Sequence, residues 1–475
     1  MSQVKQVVHP KLGRGQLMGM SNGGTVWEVI FESGMRFRLP ARDFETKLPP
    51  SPRQVVPLRR PTYSSLESSE AGLSAFHARQ TVEALRVGIV PMNEVEALTI
   101  GLKVERTALA RALSKTASEG GDAVAVIGDY GYGKSHFVEL AARMALETNF
   151  LVASISLDLK EMPPSKPNEM YKGLVNAIRY PQTTAHGLGL LFAHALENPA
   201  ILNQFIQESS ETCPLAAVLR RLRDGGNTSQ VEHNALVDWI SGLEAPRIYT
   251  SKLPKLYRNG ENARQYAYLL LRISRLATLV GYSGLAVLID ESEHYSLLRP
   301  NMRERADSFY QAMIYGAISD NGDRIDEVMI PQRVNANYPL AFDEPTNLFF
   351  LFALTAMVED EKEKHKPMPV GAWLSQKQII RLEDSYIHDD IQTFIQTLLK
   401  YHATAYGYPF EDRRSEDYDH LIGEGTKTLS YQLKQHNMNL REVIRTCVHL
   451  CDLLFLHADY AGAQMVGELR KGLGL

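Results

Sequence analysis

Residues 123–137 read AVAVIGDYGYGKSHF, and no other stretch constrains the fold as tightly. Five apolar residues of β type lead into Gly128-Asp129-Tyr130-Gly131-Tyr132-Gly133-Lys134-Ser135, and a helical pattern runs from His136 to about Leu146. The octet fits G-x-x-x-x-G-K-[ST]. Its glycines let backbone N–H groups wrap an anion, and the helix start adds partial positive charge. Strand, glycine-rich turn and helix, in that order, are the context a phosphate-binding loop requires. In that reading Gly128 to His136 cradle a nucleotide, Lys134 reaches its β- and γ-phosphates, and Ser135 ligates Mg²⁺. A glycine turn matching by chance is the alternative, and the flanking strand and helix argue against it.

A second signature is Gly284-Leu285-Ala286-Val287-Leu288-Ile289-Asp290-Glu291. An apolar run that ends in two acids suits a buried parallel strand delivering carboxylates to the sheet's C-terminal edge. Asp290 is expected to share the Mg²⁺ shell with Ser135, and Glu291 to polarise water for attack on the γ-phosphate. Glu293 and His294 lie near enough to orient that water, with helix capping as the alternative. Residues 347–355, NLFFLFALT, form a third core-strand candidate. Its terminal Thr355 is placed to read the γ-phosphate or hold the water, and a turn cap competes with that role.

Composition narrows the class. Among 475 residues, 44% are apolar and 22% charged, and the net charge is -4. That balance gives no global nucleic-acid signature, so any such contact depends on local patches. Cys213, Cys447 and Cys451 form no disulfide framework, which fits a reducing compartment. Cys447 and Cys451 share a helix face, and buried thiols are favoured over a zinc site. The opening residues MSQVKQVVHP carry no apolar signal core, and no 18-residue apolar run occurs, so a cytoplasmic chain with no membrane partner is expected.

Residues 1–48 read as a small β module of short strands between glycine turns. Val8-His9-Pro10-Lys11-Leu12-Gly13-Arg14-Gly15, Trp27-Glu28-Val29 and Phe31-Glu32-Ser33-Gly34 resemble the Tudor-like or SH3-like barrels of some bacterial helicases and transcription-coupled factors. Lys11, Arg14, Arg36, Arg38 and Arg42 make either a weak basic face or an ordinary solvated one. Residues 49–70, rich in Pro, Ser and Arg, read as a linker. Helical patterns follow at about 72–87 and 104–118. Between them Ile89, Val90, Ile100 and Gly101 are placed to flank an adenine ring, with plain packing as the rival explanation. Residues 168–179 read as a helix capped by Asn168. Residues 188–280 are mostly helical and too long for one crossover, so they are expected as an insertion in a core spanning 71–384. Residues 385–475 read as a helical lid in which Arg441 contacts the γ-phosphate and Arg445, one turn on, braces it.

These residues together resemble the BREX phage-exclusion ATP-binding proteins, of the BrxD type. The resemblance rests on HARQTVEALRVGIVP (77–91), TIGL (99–102), the loop from Gly128 to Phe137, and Asp290-Glu291-Ser292-Glu293. Tyr132 stands where such loops often carry a small residue. The resemblance implies an α/β P-loop NTPase of the additional-strand AAA+ class, with the N-terminal small β-barrel as an addition. It also implies ATP and Mg²⁺ as ligands, and phage defence beside other system proteins, among them a helicase. DNA is an implied target, and an ATP-dependent homo-oligomer an implied state. Arg303, Arg305, Arg324, Arg333 and Arg381 are the candidates for an arginine acting across subunits. The principal expectation is an ATPase that drives conformational or assembly changes. The alternative is a nucleotide-controlled scaffold with little hydrolysis. A kinase is a third class, disfavoured because the acid pair points to water.

Overall fold

The structure is a computed structural model, which describes residues 6–9, 13–21, 25–31, 36–40, 70–224, 229–258, 262–318, 324–332, 337–355, 366–382, 388–408, 415–435, 438–457 and 462–472. The chain divides into two compact units, Met1–Leu73 and Ser74–Leu475.

The first unit holds an antiparallel meander of β1 (Gln6–His9), β2 (Gly13–Ser21), β3 (Val26–Phe31) and β4 (Arg36–Pro40), paired in chain order. A register shift between Leu17 and Gly19 bends β2, as a bulge does. Val29 is fully buried. Lys11, Arg42 and residues 49–69 of the expected linker lie outside the described residues.

Helix α1 (Glu70–Val87) begins just before the unit boundary, and within the second unit it and α2 (Lys103–Glu119) lead into β5 (Gly121–Gly128). Next come α3 (Lys134–Glu147), β6 (Phe150–Ser156), α4 (Pro167–Asn176) and the two-residue β7 (Ile178–Arg179). The helix expected over 168–179 therefore stops at Asn176. Pro167 occupies its first turn and Lys166 its cap, where Asn168 was expected. Five helices follow: α5 (Gly189–Glu197), α6 (Pro199–Glu208), α7 (Pro214–Asp224), α8 (Gln230–Ile240) and the one-turn α9 (Arg247–Thr250). The long α10 (Ala263–Leu279) returns the chain to β8 (Gly284–Asp290). Then come α11 (Pro300–Ala317), β9 (Leu348–Thr355), the short α12 (Val370–Trp373) and β10 (Ile379–Leu382). The chain finishes in α13 (His388–Tyr406), α14 (Ser415–Lys434), α15 (Leu440–Leu456) and α16 (Gly462–Gly472).

The sheet order is β10-β5-β9-β8-β6-β7, parallel except where β7 pairs with β6. Alternation along the strands explains its burial. Ala123, Ala125, Val287, Phe350 and Phe352 point to one apolar layer, which helices α4 to α8, α10 and α11 complete. Val124, Val126, Leu288, Phe349 and Leu351 point to the other, which α1, α2, α3 and the C-terminal helices cover. A parallel sheet buried on both faces reads in sequence as an unbroken apolar run, which is what 123–127, 285–289 and 348–354 display. This is a mixed α/β fold around a multi-stranded sheet, consistent with an AAA+-like P-loop NTPase.

Register decides where the polar strand ends emerge. Gly128 of β5 lies opposite Thr355 of β9, Ile289 opposite Phe352, and Ser156 of β6 opposite Asp290. The glycine loop, the acid pair and Thr355 thus leave the sheet at one edge, with β9 as the strand separating loop from acids.

Candidate functional site

The loop after β5 has its geometry set by glycine. Gly131 and Gly133 sit at φ of 85° and 87°, left-handed values that cost an L side chain energy. At Gly131 space is a second constraint, because a Cβ would stand 2.7 Å from Cγ of Asn439. Helix α3 begins at Lys134, so the unpaired amides of its first turn open toward the loop. Lys134 is only 8% exposed, and its Nζ donates to the carbonyls of Gly128 (3.2 Å) and Asp129 (3.1 Å). Desolvation lowers its pKa, against the pull of Glu293, Glu291, Asp290 and Asp129.

Across the edge, β8 ends at Asp290, and Glu291 turns to φ 57°, a left-handed angle uncommon outside glycine. Its amide donates to Oδ1 of Asp290 at 2.9 Å. Desolvation, then Glu293 and Asp290 as neighbouring negative charges, push the Glu291 carboxyl up to about 7. Glu293 is the third acid of the group. Its Oε1 accepts the Thr355 hydroxyl at 2.6 Å, while its buried Oε2 has no hydrogen-bond partner among the described residues.

One open cleft joins these groups. Tyr130 through His136, Glu291 and Glu293 form its polar side, and Ile89, Val90 and Ile100 stand in its apolar wall. Gly101, Gly128, Asp129, Asp290 and Thr355 do not line it, although Gly128 and Asp129 hold Lys134. Thr355 lines a neighbouring cavity that shares Glu293 with the first. His136 Nε2 lies 2.9 Å from Thr99 Oγ1, and since that hydroxyl donates to the Val95 carbonyl, the ring is the donor at this contact. Desolvation lowers the pKa of His136 to about 4, which keeps it neutral.

The apolar wall includes Leu85, Leu98, Leu440 and Ile444, which sequence reading passed over. Leu440 and Ile444 are spaced i, i+4 around Arg441, a helical-face signal that could have revealed them. Arg441 meets the loop directly. Its amide donates to the Gly131 carbonyl at 3.1 Å and its guanidinium lies over Tyr130. Arg445 donates to the Val87 carbonyl at 3.0 Å.

Of the other arginines, Arg303 donates to the Ser296 carbonyl and Arg324 to those of Gly371 and Leu374. Arg305 is exposed, and Arg381 is exposed at the rim of the neighbouring cavity. Arg333 lies outside the described residues. Cys447 and Cys451 are fully buried, and burial raises both thiols. No helix among the described residues is long and apolar enough to cross a membrane.

No curated protein gives a match to this sequence. The family described as BREX system ATP-binding protein BrxC/D matches residues 74–206 and 192–469. That span contains the whole cleft, and its shared role is nucleotide binding in BREX defence. The chain belongs to the BREX system ATP-binding protein BrxC/D family.

Proposed function

We propose that this chain is a Mg²⁺-dependent ATPase whose hydrolysis drives conformational or assembly changes in a phage-defence complex acting on or near DNA. One observation carries the reading: Lys134, Glu291 and Glu293 face a single cleft whose far wall is apolar. A triphosphate needs the first end and a purine ring the second.

Lys134 would hold the β- and γ-phosphates, and the Gly131–Gly133 turn would present backbone amides to them. Ile89, Val90 and Ile100 would pack the base. Ser135 and Asp290 offer one hydroxyl and one carboxylate, the hard oxygen donors suited to magnesium shared with phosphate. Bound there, the ion would neutralise phosphate charge. Glu291, once deprotonated, would take a proton from the attacking water, and Thr355 would orient Glu291 through Glu293. Arg441 would contact the γ-phosphate from the helical lid, residues 385–475. The N-terminal β module, 1–48, would serve recruitment of a helicase or another defence protein, and an arginine from a second copy would complete the site in an oligomer.

ATP turnover tests this. Lys134→Ala should abolish binding and turnover. Glu291→Gln should keep ATP bound and slow turnover by about 10²–10⁴-fold. Unchanged turnover in both variants would reject the assignment.

A scaffold with little intrinsic hydrolysis has one observation in its favour. Among the described residues, Arg303, Arg305, Arg324 and Arg381 do not line the cleft, so an arginine that completes the site for hydrolysis would have to come from a second copy or a partner. Tight ATP binding without turnover, with partners and DNA present, would select that reading.

A further inference from the structure

We propose that Tyr130 is a positioning residue. Its ring and hydroxyl hold the Arg441 guanidinium at the phosphate loop, and so couple recognition of a terminal phosphate to attachment of the C-terminal helix. The proposal rests on the nucleotide reading above and adds the side chain that orients the arginine.

Tyr130 is 68% exposed, an unusual fate for a large aromatic side chain in a tight loop. It is not idle there. The Arg441 Cζ stands 5.2 Å from its ring centroid, and the arginine NH1 donates to its hydroxyl at 3.0 Å. These two contacts fix both the plane and the rotation of a guanidinium that otherwise ends a flexible chain. The loop also grips the backbone at the same point, through the Arg441 amide and the Gly131 carbonyl. Asn439, the cap of α15, packs on Gly131. A turn later, Arg445 ties the helix to the Val87 carbonyl at the end of α1.

Among the described residues the guanidinium makes no further hydrogen bond, so its Nε and NH2 groups remain for an anion. Arginine is built for this, since one edge can be held while another forms a forked pair with phosphate oxygens. Tyr130 therefore does not compete with nucleotide for the arginine. It removes the rotamer freedom that binding would otherwise have to freeze. By reciprocity, a terminal phosphate on Arg441 tightens the helix onto the loop. A diphosphate, lacking the group Arg441 reaches, would gain little.

The test uses the full chain and affinities for ATP and ADP in Tyr130→Phe, Tyr130→Ala, Arg441→Ala and the double variant Tyr130→Ala/Arg441→Ala. Because Tyr130 is exposed, its variants should fold normally. Tyr130→Ala should lose roughly five- to tenfold of the preference for ATP over ADP, a typical coupling between sites. Tyr130→Phe, keeping the ring, should lose less. The double variant should be no worse than Arg441→Ala alone, because one side chain acts through the other. A second arm needs no nucleotide: amide exchange at 440–445 should quicken in Tyr130→Ala. An unchanged ATP-to-ADP ratio, multiplying losses in the double variant, or unchanged exchange would each overturn the proposal. A wild-type chain that binds neither nucleotide would instead reject the underlying reading, while the exchange arm would still judge the latch.

Discussion

Thr355 donates its hydroxyl to Glu293 across 2.6 Å, joining the end of β9 to the turn beyond the acid pair. The partners are separated by 62 positions in sequence. One Glu293 oxygen is so held, and the other is buried with no hydrogen-bond partner among the described residues. A strand-end hydroxyl thus orients an acid that in turn presses on Glu291.

Removing that hydroxyl should loosen Glu293 without emptying the cleft. Thr355→Val is expected to lower kcat for ATP by roughly tenfold, the loss of a charge-assisted hydrogen bond at a reacting group. KM should change by less than about twofold, because Thr355 does not line the nucleotide cleft. Steady-state turnover checks this, and an effect confined to KM would contradict it.

The Glu291 carboxyl gives a pH dependence with a definite sign. As a base it works deprotonated, so turnover should rise with pH through about 7. Glu293→Gln removes a neighbouring negative charge and should shift that limb to lower pH. A limb unmoved by the substitution would show that Glu293 does not set it.

Stability carries the same carboxyl in the opposite sense. A folded pKa near 7 against an ordinary 4.5 means that the proton is held more tightly in the folded chain. Folding cost is therefore absent below 4.5, grows as pH rises and is complete above about 7. Solvent reaches this half-buried group, so the discounted penalty is about 1–2 kcal/mol. Glu291→Gln should stabilise the metal-free chain by that much at pH 8 and by almost nothing at pH 4.5. Denaturant melts at the two pH values make the comparison.

Attachment of the C-terminal helices has its own electrostatic anchor. Asp452 on α15 accepts from Arg86 on α1 and from buried His402 on α13, whose other ring nitrogen lies 2.9 Å from the Tyr408 hydroxyl. Desolvation would raise the Asp452 carboxyl, yet the bonds from His402 and Arg86 outweigh it and hold it well below the usual range. The stability it contributes is present above its ordinary 3.8 and lost as pH falls lower. Asp452→Asn should destabilise the chain by roughly 2 kcal/mol at pH 7, with the difference narrowing in acid.

Gly131→Ala would meet both a left-handed backbone and the Asn439 side chain. A loss of roughly 1–3 kcal/mol in stability, with weaker nucleotide binding, is expected. Gly371→Ala, which meets nothing within 4 Å, is the matched control for a glycine without these constraints.

Much of this was legible in order along the chain. The apolar runs at 123–127, 284–289 and 348–354 announced buried strands, because a sheet covered on both faces admits no polar alternation. Gly131 and Gly133 signalled left-handed backbone by residue type and spacing, and Lys134 and Glu291, singled out by the same patterns, line one cleft. Ile89, Val90 and Ile100 were expected at the cleft and line it, while Gly101 does not. The strand Ile379–Leu382 gave too short a pattern to be read, and only its pairing with β5 defines it.

By itself the sequence determined local geometry and chemical type, since glycine torsions, helix caps and apolar runs act over a few residues. Tertiary structure alone decided which distant groups share an environment. Tyr130 meets Arg441 across 311 positions, and Arg86 meets Asp452 across 366. Glu291 owes its raised carboxyl to desolvation and to the company of Glu293 and Asp290. Such contacts follow from strand register and the packing of two helical layers, which are collective properties of the folded core. No residue states in advance how much water its neighbours will exclude.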